Sequence, residues 1–182
     1  KFSFPQAKRS GYKVMALEKI SKAYGDIQVY RDLDFEITQG ERAVLAGENG
    51  AGKSTLLKIL AGVTEVDSGK RIIGHNAEIG YFSQTRMDVL NPENTVLEEA
   101  YSAAPGYMPE TDIRTILGAF LFTGDDSSKK VKVLSGGEKG RLILAKLLIN
   151  PPNFLLLDEP TTHLDVDAVE ALVTALRHYE GT

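Results

Sequence analysis

Leu33, Phe35 and Ile37 alternate with Asp32, Asp34 and Glu36, a period of two that predicts a strand with one wet face. Tyr12 to Lys19 also suits a strand, and Gln39-Gly40 turns the chain toward another at Ala43-Val44-Leu45-Ala46. Thr55 to Leu60 reads as a helix. Gly62 and Asp67-Ser68-Gly69 mark turns, and short strands are predicted at Arg71 to Ile73 and Glu78 to Phe82. From Thr95 to Leu121 the spacing becomes helical, with Val96, Leu97, Ala100 and Tyr101, then Ile113, Ile116, Leu117, Phe120 and Leu121, and Pro109 where a helix begins. This stretch is expected to be a helical insert between two parts of an α/β core, its Met and aromatic residues forming a small core of their own. Leu142 to Ile149 predicts a helix buried on most sides, which Asn150-Pro151-Pro152 ends. Phe154 to Leu157, apolar without interruption, suits a central parallel strand buried on both faces. An amphipathic helix follows Asp165, with Val169, Leu172, Val173 and Leu176 on one face.

Composition narrows the class without naming it. The 182 residues are 42% hydrophobic and 25% charged, an ordinary soluble globular balance with length enough for a sizeable core. A net charge of −4 gives no footprint for nucleic acid or an anionic membrane. Cysteine is absent, so thiolate and disulfide chemistry are excluded. No apolar run approaches the ~18 residues of a membrane span, and no signal peptide is visible. The chain starts at Lys1, not Met, and residues 1–11, with Pro5, Lys8, Arg9 and Gly11, look like a linker remnant, as in a piece of a longer protein.

The chemistry is concentrated in Gly47 to Thr55, which reads Gly-Glu-Asn-Gly-Ala-Gly-Lys-Ser-Thr between a predicted strand and a predicted helix. That is the context a phosphate loop requires. Glycines let successive N–H groups converge on phosphate without a Cβ in the way, and the helix N-terminus adds its partial positive charge. Gly47, Asn49, Gly50, Gly52 and Thr55 form the cradle, Lys53 would reach the β- and γ-phosphates, and the Ser54 hydroxyl would join the shell of Mg²⁺. ATP and Mg²⁺ are the expected ligands.

Asp158 and Glu159 follow the last predicted strand, where open α/β sheets place their ligands. Asp158 is suited to hold Mg²⁺, and Glu159 to orient or deprotonate an attacking water. Gln84, just past a strand end, could reach a metal or that water, or be an ordinary loop amide. Tyr24 sits in the turn between the first strands, where position alone favours packing over base stacking. Ser135-Gly136-Gly137-Glu138 leads into an apolar helix and makes a second phosphate-ready N-terminus. One nucleotide does not need two such loops, so the second is free to serve a nucleotide on a neighbour. Asp32, Asp34, Glu36, Lys129, Lys130 and Lys132 read as solvated faces.

Gly47 to Thr55, Gln84, Leu134 to Glu138, Leu155 to Glu159 and Leu164-Asp165, in this order, resemble an ATP-binding-cassette (ABC) ATPase domain over nearly the whole chain. The resemblance implies a P-loop NTPase fold with a mostly parallel central sheet, an N-terminal antiparallel β part and a helical subdomain at about 85–140, the whole of 1–182 being one domain. It implies two domains packed head to tail around two ATP molecules, with a second cassette in the same polypeptide or in another copy of the chain. Tyr24 would then stack on adenine, Lys53, Gln84 and Glu159 would serve catalysis, and Ser54, Gln84 and Asp158 would serve the metal. Ser135, Gly136, Gly137 and Glu138 would act on the partner's ATP, and Asp165 would couple the two sites.

The wording Ile79 to Gln84, Leu-Ser-Gly-Gly-Glu-Lys-Gly-Arg at 134–141 and Asp-Glu-Pro-Thr-Thr-His-Leu-Asp at 158–165 is most similar to the second cassette of ABC-F proteins. Those are soluble, cytoplasmic tandem ATPases without a membrane domain, several acting on the ribosome. Transporter cassettes more often carry glutamine at the place of Glu138. The family also has a γ-phosphate histidine at the end of a strand after the last helix. None of His75, His163 and His178 occupies that place, which points to truncation at the C-terminus. A transporter's ATP-binding subunit and a non-hydrolysing, nucleotide-regulated module stand as the alternatives. Only about fifty residues separate Gln84 from the signature, too few for the coiled-coil arm of a chromosome-type ATPase.

Overall fold

The computed structural model describes residues 4–83, 87–162 and 164–182, so Gln84, His163 and the Phe2-Ser3 part of the linker stretch lie outside the described residues. The chain divides into two compact units, one made of Lys8–Tyr81, Pro152–Asp158 and Glu180–Thr182, the other of Phe82–Pro151 and Glu159–Tyr179 with the residues through Ala7.

The first unit is built on an antiparallel sheet in the order β2-β1-β3, with β1 at Lys13–Tyr24, β2 at Ile27–Thr38 and β3 at Ser68–Ile73. Val14, Met15, Leu17 and Ile20 of β1 and Ile37 of β2 enter one core with Leu56, Ile59 and Leu60 of helix α1, Lys53–Ala61. The acidic face of β2 is wet, as its alternation predicts. Glu36 accepts from Lys13 at 2.6 Å and Asp34 pairs with Lys19, all of them exposed ends worth little to stability. Gly62, at φ 75°, closes α1 by donating to Ile59 O, while Val63 donates to Lys58 O, a left-handed cap that needs glycine.

β4, Ile79–Phe82, and β5, Phe154–Leu157, form the second sheet. Phe154 and Leu156 join the core around α1. On β5, Thr182 donates from its N–H to Asn153 O and accepts from Leu155 N–H, each at 2.9 Å, the offset pattern of a parallel pairing. The Thr182 hydroxyl also accepts from Gly40 N–H at 2.9 Å. The strand predicted at Ala43 to Ala46 is not formed: among the described residues no ladder is assigned there, and Val44 is 90% exposed. Its apolar composition suits a strand, but a strand exists only where another edge pairs with it.

The second unit is helical: α2 at Val96–Ala103, α3 at Glu110–Ala119, α4 at Gly136–Ile149 and α5 at Val166–His178. Pro109 is the residue before α3, as expected. Thr95 and Glu98 close a capping box on α2, satisfying two of the N–H groups that a helix start leaves unpaired. Helix α4 buries Leu142, Ile143, Leu144, Ala145, Leu148 and Ile149 and contacts α2, α3 and α5. Beneath α2, the buried Glu99 pairs with Lys146 of α4 and accepts from Asn94 at 2.7 Å; losing one partner of such a pair costs about 3–5 kcal/mol. Phe120 and Phe122 belong to the core, but Tyr101 and Tyr107 do not. Both are exposed, Tyr101 because its hydroxyl donates to Glu110, which corrects the expectation that all aromatics of this insert are internal.

Candidate nucleotide site

The phosphate loop takes its shape from three contacts. Gly52, at φ 95°, precedes α1 in a conformation that L side chains avoid, and a Cβ there would stand 2.7 Å from Val29 Cγ1. Tyr30 of β2 donates its hydroxyl to Gly52 O at 3.0 Å, with burial raising its pKa above the ordinary 10.0. Lys53 folds back so that its ammonium donates to Gly47 O and Glu48 O, both at 2.7 Å. The sequence pattern missed Tyr30, because its link to the loop crosses 22 residues and carries no periodic signal.

At the carboxyl end of β5, Asp158 Oδ1 accepts from the Ser54 hydroxyl at 3.0 Å, joining residues 104 positions apart. The Tyr81 hydroxyl lies 3.4 Å from Asp158 Oδ2. A neutral and an anionic oxygen side by side suit a small hard cation that takes its remaining ligands from phosphate and water, so the donor set fits Mg²⁺. Gln84, the third expected metal residue, lies outside the described residues. Tyr24 is the last residue of β1, not a residue of the turn, and the residue is 49% exposed.

Glu159, the next residue after Asp158, turns the chain out of β5 with φ 47°. A non-glycine residue held there stores about 1–3 kcal/mol of strain, and such residues cluster at functional sites. Its Oε2 faces the Thr162 hydroxyl at 3.5 Å.

In the helical unit, Ser135 is the N-cap of α4, and both it and Gly136 are exposed. Its hydroxyl oxygen accepts from Glu138 N–H at 3.3 Å, while its own N–H donates to Glu138 Oε2 at 2.7 Å. Asp165 caps α5 by accepting from Ala168 N–H at 2.9 Å, and its other oxygen takes Arg141 Nη1 at 2.9 Å. Arg141 also lies over the Phe122 ring, so α4 and the start of α5 are tied by one side chain. Lys129 and Lys132 are exposed but paired, with Asp126 at 2.7 Å and Glu93 at 3.1 Å.

The Ser135 N–H, then its hydroxyl, hold the Glu138 carboxyl below its ordinary 4.5. A depressed folded value means stabilisation that is complete above pH 4.5 and lost as pH falls through the lower folded value. Glutamine keeps the cap geometry without the charge. The wild type should therefore melt above Glu138→Gln at pH 6, with the gap narrowing as pH falls below 4.5, followed by far-ultraviolet circular dichroism; a gap that does not narrow on acidification would rule out the charged cap.

Comparison with known proteins agrees with this layout. The family profile described as ABC transporter matches residues 30–162, which include the phosphate loop, the Ser135 segment, β5 and Glu159. The putative ATP-binding protein YdiF of Bacillus subtilis is 46% identical over 182 residues, all of this chain and 28% of that protein. ABC transporter F family member 5 of Arabidopsis thaliana is 39% identical over 183 residues, all of this chain and 26% of that protein. The chain thus spans little more than a quarter of the length of these relatives. Among solved structures, the dimeric bacterial ABC transporter cassette MJ0796 superposes with a TM-score of 0.73 at 25% identity, over 90% of this chain and 82% of that one. A bacterial Atm1-family exporter with ATP bound reaches 0.75 at 21% identity, over 97% of this chain and 35% of that one, and shares the fold. The P-loop NTPase fold expected from the motifs is the fold observed, and the chain belongs to the ABC transporter family as an ATP-binding cassette related to ABC-F proteins.

Proposed function

We propose that the chain is an ATP-hydrolysing cassette of an ABC-F-type protein, acting in the cytoplasm with a second cassette and, through the complete protein, on the ribosome. The observation that carries it is the Ser54–Asp158 contact, which joins the phosphate loop to the end of β5. Identities of 37–46% to YdiF and to ABC transporter F family members favour the ABC-F assignment over a transporter subunit. Among the described residues no helix is long and apolar enough to cross a membrane.

Each residue has a role that its surroundings suit. The loop N–H groups and the α1 N-terminus bind the phosphate chain, with Lys53 exchanging the Gly47 and Glu48 carbonyls for β- and γ-phosphate oxygens. Ser54 and Asp158 would hold Mg²⁺, which when bound would neutralise phosphate charge. Glu159 orients the attacking water and takes its proton. The exposed Ser135 hydroxyl and the α4 N–H groups face a γ-phosphate held by another cassette, and Asp165, fixed by Arg141, sits where the two sites communicate.

With the purified chain alone, a composite site of this kind needs two copies. Phosphate release by the purified chain, measured across a dilution series, should be negligible at low micromolar concentration and rise faster than linearly above it. Turnover constant per molecule at every dilution would sink the composite-site reading.

A further inference from the structure

Lys22 and Tyr24, two apart on β1, share one face of the strand. The Lys22 ammonium lies 5.2 Å from the centroid of the Tyr24 ring, within the range where a cation is held by the ring's electron-rich face. The lysine is not a free surface side chain. It is only 14% exposed, and its ammonium donates to Asp67 Oδ1 at 3.0 Å.

Asp67 is anchored in turn. Its N–H donates to Ser21 O at 2.9 Å, and its Oδ2 accepts from Ala23 N–H at 2.7 Å, where the β1–β2 register shifts between Lys22 and Ala23. The Ala23 N–H, then the Lys22 ammonium, hold the Asp67 carboxyl below its ordinary 3.8, so it is ionised at neutral pH. The turn signal at Asp67-Ser68-Gly69 is therefore also a clasp on the end of β1.

We propose that Lys22, locked by Asp67, is a positioning residue for a purine platform at Tyr24: the ammonium occupies one ring face and leaves the other for the base. The cation also draws π-density from the ring, which favours stacking on an electron-rich purine. The inference rests on the role that the family resemblance implies for Tyr24, stacking on adenine.

The test separates base from phosphate. Calorimetry on the purified chain compares Mg-ATP with Mg-tripolyphosphate, which has the charge but no base. Tyr24→Leu should weaken Mg-ATP about tenfold and leave tripolyphosphate unchanged. Lys22→Met, which keeps the stem, should weaken Mg-ATP about two- to fivefold with tripolyphosphate again unchanged, and Lys22→Arg should restore it. The double variant should bind no worse than Tyr24→Leu, because the lysine acts through the ring. Unchanged tripolyphosphate binding also certifies that each variant is folded. If Lys22→Met weakens both ligands equally, the lysine steers phosphate and the proposal falls. If Tyr24→Leu lowers ATP affinity and Lys22→Met does not, the lysine has no part in the platform. A Tyr24→Leu variant with wild-type ATP affinity overturns the base-contact reading, and the platform with it.

Discussion

Lys53→Ala should remove measurable Mg-ATP binding from this chain. The Lys53 ammonium folds over the loop, donating to Gly47 O and Glu48 O at 2.7 Å each. Those bonds are to neutral carbonyls at an exposed site, so giving them up for phosphate oxygens is cheap. Hydrogen bonds to charged groups contribute about 1.5–3 kcal/mol each, so two lost contacts to phosphate weaken binding by at least about a hundredfold. Gly52 and the Tyr30 hydroxyl still hold the junction of the loop with α1, and Lys53 is not a core residue, so circular dichroism of the variant should match the wild type. An unchanged calorimetric affinity would reject the assignment of Gly47 to Thr55 as a phosphate loop.

The second large effect belongs to hydrolysis and is read in the complete protein. Glu159→Gln should leave ATP bound and slow turnover by about 10²–10⁴, the range for a positioned general base. Glutamine has nearly the same shape, so the turn at φ 47° should survive and only the proton acceptor is lost. ATP-bound, closed cassettes should accumulate, visible as a shift to a compact species in small-angle scattering with ATP. Turnover near wild type would assign the base to another residue.

Much of the fold was legible because its signals are local. The alternation at Leu33, Phe35 and Ile37, the apolar run of β5, the cap at Ser135 and the proline before α3 each act within a few residues, and each element formed. Ala43 to Ala46 failed for the opposite reason: apolar composition states a preference for strand, while pairing is decided by whichever edge arrives from elsewhere in the chain. The same limit hid Tyr30, Lys22 and Asp67. Their bonds span 22 residues to Gly52 and 45 residues between Lys22 and Asp67, distances at which periodicity carries nothing. Asp165 was singled out from the resemblance alone. Its cap follows the ordinary helix-start preference for Asp, whereas its bond to Arg141, 24 residues away, carries no local signal.

The first unit is stitched from three stretches of chain, and this bears on how it is made. During synthesis β1, β2, β3 and α1 leave the ribosome long before β5. Ser54 emerges 104 residues ahead of Asp158, a wait of about 5–20 s at elongation rates of about 5–20 residues per second. Through that interval Leu56, Ile59 and Leu60 have no Phe154 or Leu156 to pack against, and the nascent half-core stays open to mispairing and to chaperones. Codon changes that slow elongation between 82 and 151 lengthen this exposure without altering a single side chain of the finished protein, so yield should respond to translation speed in exactly that stretch while the melting temperature of the purified product does not.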